Sequence, residues 1–174
     1  MFLNPQKNLE ELSIGRGAHV ADFGAGSGHY SLAVARLVGE DGKVFCIDIN
    51  GDLLTKVKNH ARQEGLENLD IIKSDLERPK GSKLQDASVE LVIIANTLFA
   101  LEDKVAVVKE AFRILRPKGR VLVVEWSDSF AGLGPHTSHV VTKEESQKIF
   151  ENEKFKLERE ISAGDHHYGL IFRK

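Results

Sequence analysis

Three alternating glycines and a preceding acid form the most informative cluster in the sequence. The run Asp22-Phe23-Gly24-Ala25-Gly26-Ser27-Gly28 follows an apolar, β-branched segment and precedes a helical pattern. Glycines at a strand-to-helix junction permit a tight turn and let the backbone approach a ligand closely. The first N–H groups of the helix have no intrahelical partner and can bind a carboxylate or a phosphate. The spacing therefore predicts a ligand-binding loop, with a simple turn as the structural alternative.

Three kinds of ligand-binding loop are considered for this pattern. A Walker phosphate loop is excluded because no Gly-Lys-Ser/Thr follows the glycines. A nicotinamide-type Gly-x-Gly-x-x-Gly would have its third glycine at position 29, where this chain has His29. Asp22 would repel a pyrophosphate, whereas it suits a ligand that carries an ammonium group. The loop therefore favours a ligand with an amino-acid end over a dinucleotide.

Two further acids follow later strand patterns. Asp48 ends the second pattern at a distance from the glycines that suits hydrogen bonds from ribose hydroxyls. The structural alternative is an acid that the dipole of the next helix favours. Asp75 and Leu76 follow the third pattern, where the carboxylate could accept from an adenine amine and the leucine could pack on the ring; a solvated loop aspartate is the alternative. All three acids are expected at the carboxyl rim of the sheet, where open α/β folds bind ligands.

The elements that must position these residues alternate between strand and helix. Apolar runs predict strands at 18–23, 43–49, 69–72, 89–95 and 121–126. Helical periodicity opens near Tyr30, Leu53 and Val105, and the polar stretch 74–87 is typical of a loop. This order predicts a parallel sheet that is covered by helices.

The chain after residue 126 departs from this alternation. Residues 127–141 are typical of a loop, and Thr142 with Glu145 has the capping-box spacing that opens a short helix. Strand-like segments at 155–161 and 168–172 predict an antiparallel hairpin at one edge of the sheet. Because no repeat, low-complexity tract or linker interrupts the pattern, residues 1–174 are interpreted as one domain.

Composition excludes several classes of protein. The 24 Lys and Arg against 26 Asp and Glu, a formal charge of −2, exclude a generally basic nucleic-acid binder. The single Cys46 excludes an internal disulfide framework and a multi-cysteine zinc site. The first residues lack the pattern of a signal peptide, and no apolar run approaches the roughly 18 residues that cross a bilayer. We therefore expect a cytoplasmic protein without a membrane span.

Together these residues resemble the class I S-adenosylmethionine-dependent methyltransferases. The resemblance runs through 20–28, 46–48, 74–76, 88–92 and 113–120, in the family's order and spacing. Within the family the chain is most similar to the small ubiquinone/menaquinone-biosynthesis type. The resemblance implies an α/β, Rossmann-like three-layer sandwich with a seven-stranded, mostly parallel sheet and an antiparallel C-terminal strand.

The resemblance also implies a cofactor, S-adenosylmethionine, which becomes S-adenosylhomocysteine as product. The 24–28 loop would hold its methionine moiety, with Asp22 near the ammonium. Asp48 would take the ribose hydroxyls, Ile49 would lie beside the adenine, and Asp75 with Leu76 would hold the adenine edge. Asn96 would face the methionine and the methyl group, and His29 and Tyr30 would line the same pocket.

The general base is left open. Its candidates are Glu125 at the end of the fifth strand and the histidines of the later loops: His136, His139, His166 and His167. Histidine spacing alone does not establish the convergence that a metal needs, so no metal site is expected. Only about 17 residues precede the first strand, without the helical lid of many family members, so the acceptor site is expected to be open or closed by a partner subunit.

The expected function is methyl transfer by in-line displacement to an unidentified acceptor, a small molecule rather than a nucleic acid. A homo-oligomer is possible but is not indicated. One alternative is a non-catalytic, S-adenosylmethionine-binding module for regulation or assembly. The other is a nicotinamide-dependent oxidoreductase, which His29 and Asp22 disfavour.

Overall fold

The computed structural model describes residues 4–130, 132 and 134–174. Its helices are α1 (Pro5–Glu10), α2 (His29–Val38), α3 (Gly51–Gln63), α4 (Lys104–Ile114) and α5 (Lys143–Asn152). Its strands are β1 (His19–Phe23), β2 (Lys43–Asp48), β3 (Leu69–Lys73), β4 (Val89–Ala95), β5 (Leu115–Trp126), β6 (Lys156–Ile161) and β7 (His167–Arg173). Short 3-10 turns lie at Leu98–Ala100 and Thr137–His139.

The strands of the described residues form one seven-stranded sheet in the order β3-β2-β1-β4-β5-β7-β6. Strands β1 to β5 pair in parallel, whereas β7 pairs antiparallel with both β5 and β6. The predicted parallel sheet, the terminal hairpin and the reversed last strand are all confirmed. The change of direction from β1 to its two neighbours, β2 and β4, opens the crevice in which such sheets bind ligands.

Side chains of the central strand alternate between two cores. In β4, Leu91 and Ile93 pack with the cluster that includes α2 and α3, while Val92 and Ile94 pack with the cluster that includes α4 and α5. This period of two is the reason that a strand covered on both faces is almost continuously apolar. The resulting three layers confirm the predicted Rossmann-like sandwich.

Strand β5 begins earlier than its apolar run predicts. Its pairing with β4 passes from Leu115, opposite Val89, to Arg120, opposite Leu91, so that residues 116–119 bulge out of the ladder. Pro117 cannot donate to a ladder, and Lys118 has a left-handed φ of 67°. Pairing across the bulge depends on β4, which the local sequence pattern does not contain.

A short N-terminal helix was not predicted. Asn4 caps α1 by accepting a hydrogen bond from the Lys7 backbone N–H at 3.1 Å, and a proline stands in the first turn. Leu9 and Leu12 are fully buried in the α2–α3 core. Six residues are too few to show helical periodicity, so this helix is recognisable only by its packing on α2.

The predicted loop between β3 and β4 is confirmed and is fastened to α4. The buried carboxylate of Glu110 accepts hydrogen bonds from the backbone N–H and the hydroxyl of Ser82, at 2.9 and 2.5 Å. Arg113 adds a hydrogen bond to the carbonyl of Leu84 at 2.9 Å. These hydrogen bonds hold the loop against α4.

Candidate functional site

Two adjoining cavities lie at the carboxyl ends of the central strands. The first, here called the loop cavity, has a volume of about 180 Å³ and is lined by Asp22, Gly24, Ala25, Gly26, Ser27, His29, Tyr30, Ala95 and Asn96. The second, the strand-end cavity, has about 360 Å³, and its lining includes Gly24, Gly26, Asp48, Ile49, Asp75, Leu76 and Asn96. All the predicted binding residues except Gly28 line one or both.

The glycine loop is fixed to the end of β2. The backbone N–H groups of Gly24 and Ala25 both donate to the carbonyl of Ile47, at 2.8 and 3.0 Å. Gly24 has a φ of 72°, and a Cβ there would lie 2.4 Å from Oγ1 of Thr97. Only glycine satisfies both conditions, which explains the first glycine of the motif.

Gly28 has a different function from its neighbours. It caps α2 with a φ of 82°, and a Cβ on it would lie 2.7 Å from Cγ2 of Val57 on α3. It lines neither cavity. In the structure, this glycine allows α2 to begin close against α3.

The carboxylate of Asp48 is oriented by two backbone donors. Its Oδ2 accepts from the N–H of Gly26 and its Oδ1 from the N–H of Asn50, each at 2.8 Å. Each carboxylate oxygen has a second lone-pair site, so both can still accept from a ligand hydroxyl. Ile49, which follows, is 66% exposed and offers an apolar surface beside this carboxylate.

The predicted adenine contacts lie in the strand-end cavity, although Asp75 already has protein partners. Its Oδ1 accepts from the backbone N–H of Glu77 at 3.0 Å, and its Oδ2 lies 3.2 Å from Nε of Arg78. Leu76 is buried, and Leu101, which the sequence pattern did not indicate, lines the same cavity. Apolar walls and a bonded carboxylate rim suit a flat ring that carries polar groups.

Asp22 and Asn96 are polar groups in the interior of the site. Asp22 accepts a hydrogen bond of 2.6 Å from the hydroxyl of Ser31, and burial raises its pKa to about 6, with a further contribution from the charge of Asp48. Asn96 has a left-handed φ of 52°. Its buried Oδ1 has no hydrogen-bond partner among the described residues. Buried acceptors are normally paired, so this oxygen points to a donor on a ligand.

The predicted neighbours at the start of α2 differ in their surroundings. His29 is exposed, and its Nε2 lies 3.5 Å from the hydroxyl of Ser27. Tyr30 is buried, and its hydroxyl accepts a hydrogen bond of 2.8 Å from Nδ2 of Asn8 in α1. Sequence reasoning missed Asn8, since no motif marks it.

Glu125, one candidate base, is buried beneath the turn that follows β4. Its Oε1 accepts from the backbone N–H groups of Thr97 and Leu98, both at 2.6 Å. Burial raises its pKa to about 7. The carboxylate lines neither of the two cavities, and its contacts hold Thr97 and Leu98, which follow Asn96 in the chain.

The four candidate histidines lie in two pairs, one at the start of β7 and one at the second 3-10 turn. Nδ1 of His166 lies 2.9 Å from Asp128, and the ring of His167 packs on Trp126 with a centroid distance of 4.2 Å. His136 is the N-cap of the second 3-10 turn, which ends at His139, and the centroids of the two rings are 6.3 Å apart. Within residues 4–130, 132 and 134–174, no three His, Cys, Asp or Glu side chains are grouped so that they could hold a metal ion.

A larger cavity adjoins the strand-end cavity. This wide cavity has a volume of about 740 Å³ and shares Ala100 and Leu101 with its neighbour. Apolar side chains and a few ionisable groups line it: Phe99, Val140, Val141, Ile149, Glu102, Lys104, His139, Glu145 and Lys148. The sequence did not predict it, because the 3-10 turn and α5 meet the β4–α4 segment only in the folded chain.

Comparison with known proteins identifies the family. The model of a family described as "Methyltransferase domain" matches residues 14–167. The ubiquinone/menaquinone biosynthesis C-methyltransferase of Hahella chejuensis is 33% identical over 120 residues, which is 68% of this chain and 47% of that protein. Its namesake in Pseudoalteromonas translucida is 32% identical over 123 residues, 70% of this chain and 48% of that protein. The chain thus spans about half the length of these curated relatives.

A solved structure agrees with this match. The crystal structure of an S-adenosylmethionine-dependent methyltransferase from Aquifex aeolicus superposes with a TM-score of 0.88 at 25% identity. The alignment covers 98% of this chain and 89% of that one. In the part of the chain that the structure describes, no helix is both long and apolar enough to cross a membrane. Since the family model matches most of the sequence and the fold superposes on that of a solved S-adenosylmethionine-dependent methyltransferase, the chain belongs to the class I S-adenosylmethionine-dependent methyltransferases.

Proposed function

We propose that this chain transfers the methyl group of S-adenosylmethionine, by in-line displacement, to a small-molecule acceptor. The observation that carries the proposal is the series of three adjoining cavities along one edge of the sheet. The strand-end cavity shares Gly24, Gly26 and Asn96 with the loop cavity, and Ala100 and Leu101 with the wide cavity. A donor and an acceptor can therefore lie side by side.

The residues of the first two cavities fit the cofactor. Asn96 presents a buried amide oxygen that has no hydrogen-bond partner in the described part of the chain, and Gly24 leaves no room for a side chain where the loop approaches Thr97. The bonded carboxylate of Asp48 suits a ribose diol, and the exposed Ile49 beside it suits the face of a purine. Polar groups in the smaller cavity and apolar walls in the larger one match a ligand with an amino-acid end and a nucleoside end.

We assign the roles accordingly. Asp22 and the glycine loop bind the amino-acid end, with Asn96, His29 and Tyr30 around it. Asp48 binds the ribose hydroxyls, and Ile49 with Leu76 holds the adenine, whose edge Asp75 faces. Gly28 acts indirectly, because it sets the position of α2 against Val57.

Bound S-adenosylmethionine supplies a methyl group that its sulfonium has already activated. The contribution of the chain is then to orient the donor, to exclude water and to hold the acceptor in line. The fixed contacts of Asp48 and of the glycine loop serve this orientation. Glu125 contributes by holding the turn after β4 through the N–H groups of Thr97 and Leu98.

The wide cavity supports a small-molecule acceptor. Its volume of about 740 Å³ lies within the range of roughly 300–1,000 Å³ that is usual for small-molecule sites. The named relatives are C-methyltransferases of quinone biosynthesis. The chain spans only about half of their length, so the proposal includes the class of acceptor and not their particular substrate.

Calorimetric titration with S-adenosylmethionine and S-adenosylhomocysteine tests the cofactor site. We expect Asp48→Ala to weaken binding by roughly 10- to 100-fold, because hydrogen bonds to a charged group contribute about 1.5–3 kcal/mol each. Asp52→Ala is the matched control, since Asp52 is an exposed carboxylate in the first turn of α3 that lines neither cavity. Equal affinities in both variants would remove Asp48 from the site.

A second experiment tests the acceptor class. The protein is incubated with methyl-labelled S-adenosylmethionine and a cell extract that has been separated by size into small molecules and macromolecules. We expect label in the small-molecule fraction, and less of it with Ser138→Trp, which fills the wide cavity, than with Thr137→Trp, which lies outside it. Label in the macromolecules contradicts the proposal, and cofactor binding without label in either fraction favours a non-catalytic module.

A further inference from the structure

A fourth cavity lies at the opposite edge of the sheet from the loop cavity and the strand-end cavity. It has a volume of about 630 Å³ and is formed by the segment before β1, the starts of β4 and β5, and the end of β7. Five cationic residues line it, Arg16, Arg116, Lys118, Arg120 and Arg173, together with Glu90. Arg16 contributes to the wall, but its guanidinium lies against Gly39. We call this space the basic cavity.

Two of its cations have a carboxylate partner. Arg116 forms an ion pair with Glu90, and Arg173 binds Glu158 with its Nε at 2.8 Å from the carboxylate. Lys118 and Arg120 form no ion pair within 4.0 Å with any carboxylate of the described residues. The basic cavity therefore retains positive charge in a chain whose formal net charge is −2.

Arg120 is held where its charge is poorly compensated. It is partly buried and donates to the backbone carbonyl of Leu12. Burial lowers its pKa, and Arg173 and Arg159 lower it further, whereas Glu158 opposes them. A guanidinium does not give up its proton in a protein, so the positive potential remains.

The bulge at the start of β5 contributes Lys118 to the lining of the cavity that Arg120 also lines. Residues 116–119 leave the ladder with β4, and Lys118 takes a left-handed φ of 67° that favours glycine. Lys118 is exposed and adds an ammonium to the cavity, where Arg120 supplies a guanidinium. An ammonium and a guanidinium together suit the oxygens of a phosphoryl group.

We propose that the basic cavity binds a small ligand bearing a phosphoryl group, at a site independent of the proposed methyl transfer. A small ligand is favoured over a nucleic acid because the cations converge on one cavity and do not follow a stripe along an acidic chain. Lys118 and Arg120 supply the charge that the ligand neutralises. A ligand in the basic cavity leaves the three cavities at the carboxyl ends of the strands unobstructed.

Calorimetry and thermal unfolding with inorganic pyrophosphate test this site. Sodium chloride at the same ionic strength is the reference, because exposed charges respond to salt in general. We expect pyrophosphate to raise the melting temperature of the unaltered chain, and Lys118→Gln to weaken binding roughly tenfold, as the loss of one charge-assisted contact implies. Lys58→Gln removes the same charge from the exposed face of α3 and should bind as the unaltered chain does.

Three outcomes would overturn the proposal. The first is the absence of binding at millimolar pyrophosphate. The second is displacement of pyrophosphate by S-adenosylhomocysteine, which would place the anion at the glycine loop. The third is tighter binding of a ten-nucleotide RNA, weakened equally by Lys118→Gln and Lys58→Gln, which would indicate a diffuse nucleic-acid surface.

Discussion

At the scale of single residues, Asp22 shows a conflict between stability and binding. Its carboxyl is buried, and burial raises its pKa from 3.8 to about 6, so the charged form is maintained at neutral pH at an energetic cost. A shift of about two pKa units corresponds to roughly 3 kcal/mol between the two protonation states. A buried carboxylate of this kind is useful if it receives a cation, such as the ammonium of an amino-acid ligand.

Replacing Asp22 with asparagine should therefore stabilise the ligand-free chain and weaken its binding of S-adenosylhomocysteine. Because the folded-state pKa is raised, the penalty is absent below about pH 4, grows as pH rises towards 6 and is complete above that value. Urea unfolding should show Asp22→Asn gaining about 1–3 kcal/mol over the unaltered chain at pH 7, and much less at pH 4. Asp52→Asn, an exposed control, should show no such trend, and a destabilised Asp22→Asn at pH 7 would contradict the argument.

The position of a residue can be predicted from sequence where a motif fixes the backbone. The acid, the first two glycines and Asp48 line the cavities as expected, because their spacing follows from one strand-to-helix turn and the end of the neighbouring strand. Gly28 belongs to the same motif but lies against Val57 and lines neither cavity. Its partner comes from α3, which the motif does not contain.

At the scale of elements, α1 is connected to the site by one buried hydrogen bond. Asn8 Nδ2 donates to the Tyr30 hydroxyl at 2.8 Å and lies 3.4 Å from the carbonyl of Ala163, which precedes β7. Asn8 is 1% exposed and Tyr30 5%. The amide thus joins three elements behind a residue that lines the loop cavity.

A double-mutant cycle measures this connection. Asn8→Ala and Tyr30→Phe should each lower the free energy of unfolding by about 1–3 kcal/mol, since each leaves a buried polar partner unsatisfied. The double variant should lose less than their sum, with a coupling of about 0.5–2 kcal/mol in urea unfolding. Tyr168→Phe supplies the control, because its hydroxyl bonds to Val141 elsewhere. Additivity of Asn8→Ala with Tyr30→Phe would show that the bond does not join the elements.

At the scale of the whole molecule, the sheet separates two groups of cavities with different linings. The loop cavity and the strand-end cavity lie at the carboxyl ends of β1, β2 and β4, and the basic cavity lies at the opposite edge. The strands between them belong to the two apolar cores, which are packed from both faces. Because the basic cavity shares no lining residue with the loop cavity or the strand-end cavity, we expect ligands at the two edges to bind independently of each other.

Independent edges predict additive stabilisation, an expectation that combines the proposed cofactor site and the proposed anion site. Each ligand at about 100 times its dissociation constant should raise the free energy of unfolding by about 2.7 kcal/mol, and both together by about twice that value. Urea unfolding with S-adenosylhomocysteine, pyrophosphate and the mixture provides the measurement. A mixture no better than one ligand alone would mean that both compete for one site, whereas failure of only one ligand separates the two proposals.

The sequence by itself determined the order of the seven strands and of helices α2 to α5, the layers and the position of the glycine loop. These features depend on local patterns: apolar alternation in β4, glycines after β1, the capping box of Thr142 and Glu145, which is present, and acids at strand ends. Such patterns extend over a few consecutive residues, so they can be recognised without knowledge of the rest of the chain.

Tertiary structure alone decided which distant residues complete each site. The contact of Asn8 with Tyr30, the burial of Glu125 under Thr97 and Leu98, and the basic cavity at the β5 bulge each join segments that are far apart in sequence. Their side chains carry no periodic signal, since each partner is specified by packing across the sheet rather than by its neighbours in the chain. The local pattern therefore identified the loop, and long-range packing determined what surrounds it.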